Sequence, residues 1–163
     1  MASSRFLSQK QKLAIADVVV ESAWLDVVLD MVIMEMTGID QNTHDALFSG
    51  SDMIGRKLLI VRRLYELGKD SVPGSAAELL KDTIERAQCL NESRVKVVHG
   101  IWSRERDPSA TGLLGNIDAP ITHAIHRGTR INSETVLKLG EKIAAITNEL
   151  INRSLPFWKN QQI

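Results

Sequence analysis

A single cysteine, Cys89, stands among the 163 residues, so no internal disulfide can form. The thiol count fits a reducing compartment. An excess of either charge is missing too, since twenty basic residues balance twenty acidic ones. That argues against a protein that coats nucleic acid through bulk electrostatics and leaves room for a local basic site. Long uninterrupted apolar runs are also lacking. Asp17, Glu21, Asp26 and Asp30 break the longest one, so no segment reads as a membrane span. Met1 to Lys12 has no apolar core of a secretory signal, and the expectation is a cytoplasmic chain with no membrane partner. What is present, 44% apolar and 25% charged residues, is the makeup of a globular protein. With no internal repeat, low-complexity tract or dividing linker, residues 1–163 are expected to form one domain.

The periodicity is helical. From about Ser8 to Met36 the residues Leu13, Ala16, Val20, Trp24, Val27, Met31 and Met34 recur at steps of three and four. Ile15, Val18, Leu25, Leu29, Val32, Ile33 and Met36 make a second apolar face roughly opposite. Such a helix must be covered on both sides, by its own domain or by a second copy of the chain. Thr37-Gly38 stops it, and Asp40 to Gly50 reads as a loop with a helical turn at Thr43 to Phe48. A second helix is expected from a Ser51 or Asp52 cap to Leu67-Gly68, burying Ile54, Leu58, Val61 and Tyr65, with Arg56, Arg62 and Arg63 on a solvated face. A third is expected from a Ser75 cap to about Arg104, with Leu80, Ile84, Ala87, Asn91, Arg94, Val98 and Ile101 as its inner stripe. Between Asp107 and Asn132 the period disappears amid Pro and Gly. Ser133-Glu134 opens a last helix on Val136, Leu137, Leu139, Ile143, Ile146 and Leu150, fading before Pro156, with Phe157 and Trp158 packing back. The predicted fold is all-α: an antiparallel four-helix bundle with an irregular loop or small hairpin before the last helix.

Three possible chemistries fail on spacing. Gly50 to Lys57 has the glycines of a phosphate loop, but Arg56 intervenes before the lysine, Leu58 follows it, and no strand precedes. His123 and His126 have no cysteine or carboxylate pattern to complete a metal site, so no metal or cofactor is expected. Cys89 and His99 would stand about 15 Å apart on one helix, too far for a thiol dyad.

The segment Asn91-Glu92-Ser93-Arg94-Val95-Lys96-Val97-Val98-His99-Gly100-Ile101-Trp102 is different. Arg94 falls on the apolar stripe, where a guanidinium is costly unless it pairs or meets an anion. On a continuous helix His99 would stand about 7.5 Å further along and about 140° around, within partial reach of a long arginine. Both tips could then approach one phosphate. Gly100 has no helical merit, which suggests a close approach to the backbone there.

The Arg94-x4-His99-Gly100 run, late in the third helix of a small helical chain, resembles the Arg-x(4–6)-His motif of the HEPN domain superfamily (higher eukaryotes and prokaryotes nucleotide-binding). It is most similar to uncharacterised bacterial members that read roughly Arg-Asn-x-x-Val/Ile-His-Gly. The resemblance implies a four-helix homodimer whose two motifs line one cleft. It also implies metal-independent RNA cleavage, often in toxin–antitoxin or phage-defence systems with an antitoxin or nucleotidyltransferase partner. His99 would be the general acid or base and Arg94 would hold the scissile phosphate. The products would be a 2′,3′-cyclic phosphate and a 5′-hydroxyl. One departure is Val95, where active members usually carry a polar residue. Asn91 or Glu92 would have to substitute for it, with Lys96 supplying positive charge. Arg127 and Arg130 are candidate contacts to an RNA backbone from the irregular segment. Val95 and the neutral charge support an alternative, a non-catalytic dimer of the same fold that binds a protein or nucleotide. A purely structural helical dimer is a third reading.

Overall fold

The computed structural model describes residues 9–48, 54–98, 100–104, 112–116, 129–131 and 133–159. Helices dominate. They are α1 (Gln9–Thr37), α2 (Gln41–Phe48), α3 (Ile54–Gly68), α4 (Gly74–Val98) and α5 (Ser133–Lys159). A short 3-10 turn, Lys69–Ser71, follows α3. Between α4 and α5 lie three strands, β1 (Gly100–Arg104), β2 (Gly112–Asn116) and β3 (Thr129–Ile131). They form an antiparallel sheet in the order β1-β2-β3, with Trp102 opposite Leu114 and Leu113 opposite Arg130. The all-α class holds, and this small sheet occupies part of the stretch read as loop or hairpin.

The helix ends follow local chemistry. Gly38 takes a left-handed φ of +70° beyond α1 and its N–H donates to the Met34 carbonyl at 2.8 Å, a conformation that glycine adopts without steric penalty. Asp40 then caps α2: its Oδ1 accepts from the Thr43 N–H at 2.7 Å and its carbonyl from the His44 N–H at 2.9 Å. The Thr43 backbone N–H, before other contacts, holds the Asp40 carboxyl below its usual range. The segment read as a single turn is therefore a full helix from Gln41.

Three expected boundaries are corrected. The third predicted helix, α4 here, ends at Val98 rather than near Arg104, because Gly100–Arg104 pairs as a strand. That helix begins at Gly74 and its first carbonyl acceptor is Pro73, which receives the N–H groups of Ala76 and Ala77 at 2.9 and 3.0 Å, so Ser75 lies inside the first turn. The last helix runs through Pro156 to Lys159. Buried Ser154 holds the preceding turn, its hydroxyl donating to the Leu150 carbonyl at 2.7 Å. The expected Ser51 or Asp52 cap and the packing of Phe157 and Trp158 lie outside the described residues and side chains.

The chain divides into two compact units, with α1, α4 and α5 contributing to both. In the unit formed by 23–91 and 143–163 the apolar core is built from Leu25, Leu29 and Ile33 of α1, Leu58 and Val61 of α3, Leu80 and Ile84 of α4, and Ile146 and Leu150 of α5. Arg86 and Arg153 link α4 to α5 at its surface. Arg86 pairs with Asp82 at 2.8 Å and with Glu149, while Arg153 reaches Glu149 at 3.0 Å and the Thr83 hydroxyl at 2.8 Å.

In the other unit, formed by 1–22 and 92–142, Ala14 and Val18 of α1, Val97 of α4 and Val136 and Leu139 of α5 are buried. Gly140 lets α5 approach α1 closely: a Cβ there would fall on the Asp17 Oδ2, 3.2 Å from its Cγ and 3.6 Å from the Val18 nitrogen. Gly140→Ala is expected to change stability by less than about 1 kcal/mol, because turning the Asp17 carboxylate aside offsets part of the roughly 1 kcal/mol that alanine gains over glycine in a helix. In an Asp17→Ala background the full gain should appear. Urea unfolding of the four variants followed by circular dichroism measures both.

The two apolar faces of α1 have different fates. Val18, Leu25, Leu29, Val32, Ile33 and Met36 are buried, whereas Leu13, Val20, Trp24, Val27 and Met31 are exposed. No helix among the described residues is long and apolar enough to cross a membrane.

Candidate nucleic-acid site

Helix α4 carries three of the residues singled out in the sequence. Arg94 is half-buried, in line with its place on the inner stripe. Asn91 stands one turn earlier on the same side. Its amide nitrogen packs against α3, where a Cβ on Gly55 would come within 3.2 Å of it. Asn91 Oδ1 is buried without a hydrogen-bond partner among the described residues. Glycine at position 55 thus makes room for the Asn91 amide, and the pair sets how α3 meets α4. Lys96 is exposed, and at about 100° per residue it stands about 200° around the helix from Arg94. It lies on the opposite face and does not add charge beside the guanidinium. Val95, also exposed, presents an apolar surface next to Arg94.

The end of α4 falls within the motif. α4 ends at Val98 and β1 begins at Gly100. The continuous helix that the offset of about 7.5 Å and 140° assumes is thus not seen beyond Val98 among the described residues. Gly100 is likewise a strand residue opposite Asn116, so the helical cost inferred for it does not arise. His99 and Arg127 themselves lie outside the described residues, as do His123 and His126. Arg130 is placed on β3 by its backbone, paired with Leu113. Cys89 is an exposed free thiol on α4. Among the described residues no three His, Cys, Asp or Glu side chains converge as a metal site.

One polar cluster escaped the sequence reading. Lys57 of α3 is only 5% exposed, and its ammonium donates to Asp30 Oδ2 at 2.7 Å and reaches Asp26 Oδ2 at 2.9 Å. The acids are one turn apart on α1. Burial alone pushes the Lys57 pKa down, but hydrogen bonds to Asp30 and Asp26 and their negative charge outweigh it and leave the pKa raised. His44 of α2, buried and stacked near Phe48 with ring centroids 4.8 Å apart, brings Nε2 within 3.1 Å of Asp30 Oδ1, off the ideal hydrogen-bond direction. Its Nδ1 lies 3.4 Å from Asp45 Oδ1. Asp26 Oδ1 is buried with no hydrogen-bond partner among the described residues. The cluster ties α1, α2 and α3 together, and Lys57 sits two positions from the Gly55 that meets Asn91. A trace was present in the sequence, for Lys57 occupies the i+3 place in the apolar stripe Ile54, Leu58, Val61 and Tyr65.

No family model matches the chain, and no solved structure matches it. A segment is 32% identical over 76 residues to a 5-amino-6-(D-ribitylamino)uracil–L-tyrosine 4-hydroxyphenyl transferase of Thermosynechococcus vestitus, covering 41% of this chain and 18% of that protein. The chain thus spans less than a fifth of the length of that transferase.

Proposed function

We propose that the chain is a metal-independent endoribonuclease of HEPN type, acting in the cytoplasm as a homodimeric antiparallel four-helix bundle. The observation that carries this reading is the Arg94-x4-His99-Gly100 motif, with its arginine half-buried just before α4 gives way to β1. A guanidinium held by surrounding packing keeps its N–H fork oriented, which suits a phosphate oxygen whose charge grows during the reaction. A near-neutral imidazole suits proton transfer at the ribose. In the proposed step a base removes the 2′-OH proton, and the 2′-oxygen attacks phosphorus as the P–O5′ bond breaks. The leaving 5′-oxygen takes a proton, giving a 2′,3′-cyclic phosphate and a 5′-hydroxyl. His99 performs one of these proton transfers and Arg94 binds the phosphate. Arg130 and Arg127 contact the RNA backbone, and an antitoxin or nucleotidyltransferase would regulate the activity.

Val95 favours a second reading, a non-catalytic dimer of the same type that binds a protein or nucleotide, since an apolar side chain there cannot hydrogen-bond a phosphate. Incubating the purified chain with a panel of RNAs in EDTA separates the two. Fragments ending in 2′,3′-cyclic phosphate support the nuclease, and intact RNA across the panel overturns it in favour of the binding module.

A further inference from the structure

A helix of eight residues is marginal by itself in water, so α2 persists through what ties it to its neighbours. Those ties are few. Six of its eight residues are exposed, Leu47 at 64% among them; Phe48 is half-buried, and His44 is its one buried residue. Its first turn depends on the exposed Asp40 carboxylate, which accepts the Thr43 N–H. Its inner side depends on one imidazole, packed near Phe48 and set 3.1 Å from Asp30 Oδ1 of α1. The bond from Gln41 to Asp45 at 2.7 Å stays within the helix and adds nothing to its attachment.

That imidazole covers a charged group. Asp30 Oδ1 faces His44 while Asp30 Oδ2 accepts from the Lys57 ammonium at 2.7 Å, so ring and ammonium divide the two oxygens of one carboxylate. Asp26 Oδ2 completes the group at 2.9 Å from the same ammonium. The joint that precedes α2 is free of packing. Gly38, with a φ of +70°, has no atom within 4 Å of the place a Cβ would take, and Ile39 separates it from the Asp40 cap. Rotation at this glycine therefore meets no packed neighbour. Moving α2 away withdraws one side chain from the interior and leaves Leu29 and Ile33 of α1 and Leu58 and Val61 of α3 to pack as before.

We propose that α2 is a flap, hinged at Gly38 and latched by His44, that opens over the Lys57 ion group while α1 and α3 stay folded. Segments with little buried surface open locally at a lower free energy than global unfolding requires. The inference goes beyond the nuclease reading and does not depend on it.

Hydrogen exchange of the full chain, resolved by residue, tests the opening. The amides of Asp45 to Phe48 should exchange at least about 100-fold faster than those of Leu58 and Val61, at a rate that low urea leaves unchanged, because a local opening exposes little surface. Acetylation of Lys57 by a water-soluble N-hydroxysuccinimide ester, read by peptide mass spectrometry, tests what the flap covers and should be equally indifferent to low urea. Asp40→Ala, at an exposed position, removes the cap and should speed both exchange in α2 and acetylation of Lys57 about 5-fold. His44→Ala removes the latch and should speed both at least about 10-fold. Amides of α2 that are protected as well as those of α3, with the same dependence on urea, overturn the flap. Faster exchange in α2 without faster acetylation of Lys57 overturns its role as a cover. Asp40→Ala carries both tests should His44→Ala fail to fold.

Discussion

Replacing His99 by alanine is expected to lower EDTA-resistant RNA cleavage by about 100- to 10,000-fold, the usual worth of a positioned general acid or base. The rate falls because the 2′-oxygen must lose its proton as it attacks, or the 5′-oxygen gain one as it leaves, and no other titratable side chain in the Arg94 to Gly100 run can do either near neutral pH. Lys96, the remaining candidate, stands on the far side of α4 from Arg94. Arg94→Lys should also be damaging despite preserving the charge, since an ammonium cannot offer two parallel N–H donors to one phosphate. The two variants should separate in their pH profiles. Loss of His99 removes an ionisation from the profile of kcat/KM, whereas Arg94→Lys lowers the whole curve without changing its shape. A His99→Ala protein that cleaves like the wild type would assign the activity to something other than this site. Val95→Asn supplies the converse test, because it places a polar side chain beside Arg94 at an exposed position and should raise cleavage.

The long helices were legible because an apolar residue every three or four positions is a strong signal over twenty residues. The inner stripes of α3 and α5 were read nearly in full. Of the residues assigned to α5, Val136, Leu139, Ile143, Ile146 and Leu150 are buried, and Leu137 is exposed. What failed was the switch from α4 to β1. Val95, Val97, Val98, Ile101 and Trp102 are β-branched or aromatic, so the run satisfies a strand as well as a helix, and periodicity cannot locate the change between them. Gly100, which on a continuing helix would imply a close approach to the backbone, instead opens the strand opposite Asn116. The two-faced character of α1 was legible, yet which face the chain covers depends on the other helices, and no pattern within α1 carries that information. The buried ion cluster was missed for a related reason. Asp26 and Asp30 look like the solvated flank of an amphipathic helix until α3 brings Lys57 beneath them.

That lysine gives the largest stability effect expected in the chain. Lys57→Met keeps the length and apolar stem of the side chain but leaves Asp26 and Asp30, one helical turn apart, without the ammonium that lies 2.9 and 2.7 Å from them. Breaking one side of a buried ion group in this way costs about 3–5 kcal/mol, because the remaining charges are neither paired nor fully hydrated. Asp26→Leu combined with Lys57→Met should recover at least half of the loss, since it removes one of the two carboxylates and leaves Asp30 beside His44. Alkaline pH tests the same pairing without mutation. The Lys57 pKa is raised in the folded chain, so its contribution to stability is complete below the unfolded lysine value of about 10.4 and disappears as pH climbs through the folded value. Urea midpoints of the wild type should therefore decline above that pH, and Lys57→Met should lack this part of the decline. A cost below about 1 kcal/mol for Lys57→Met would mean that water reaches the two carboxylates and that the group is no more than a surface ion pair.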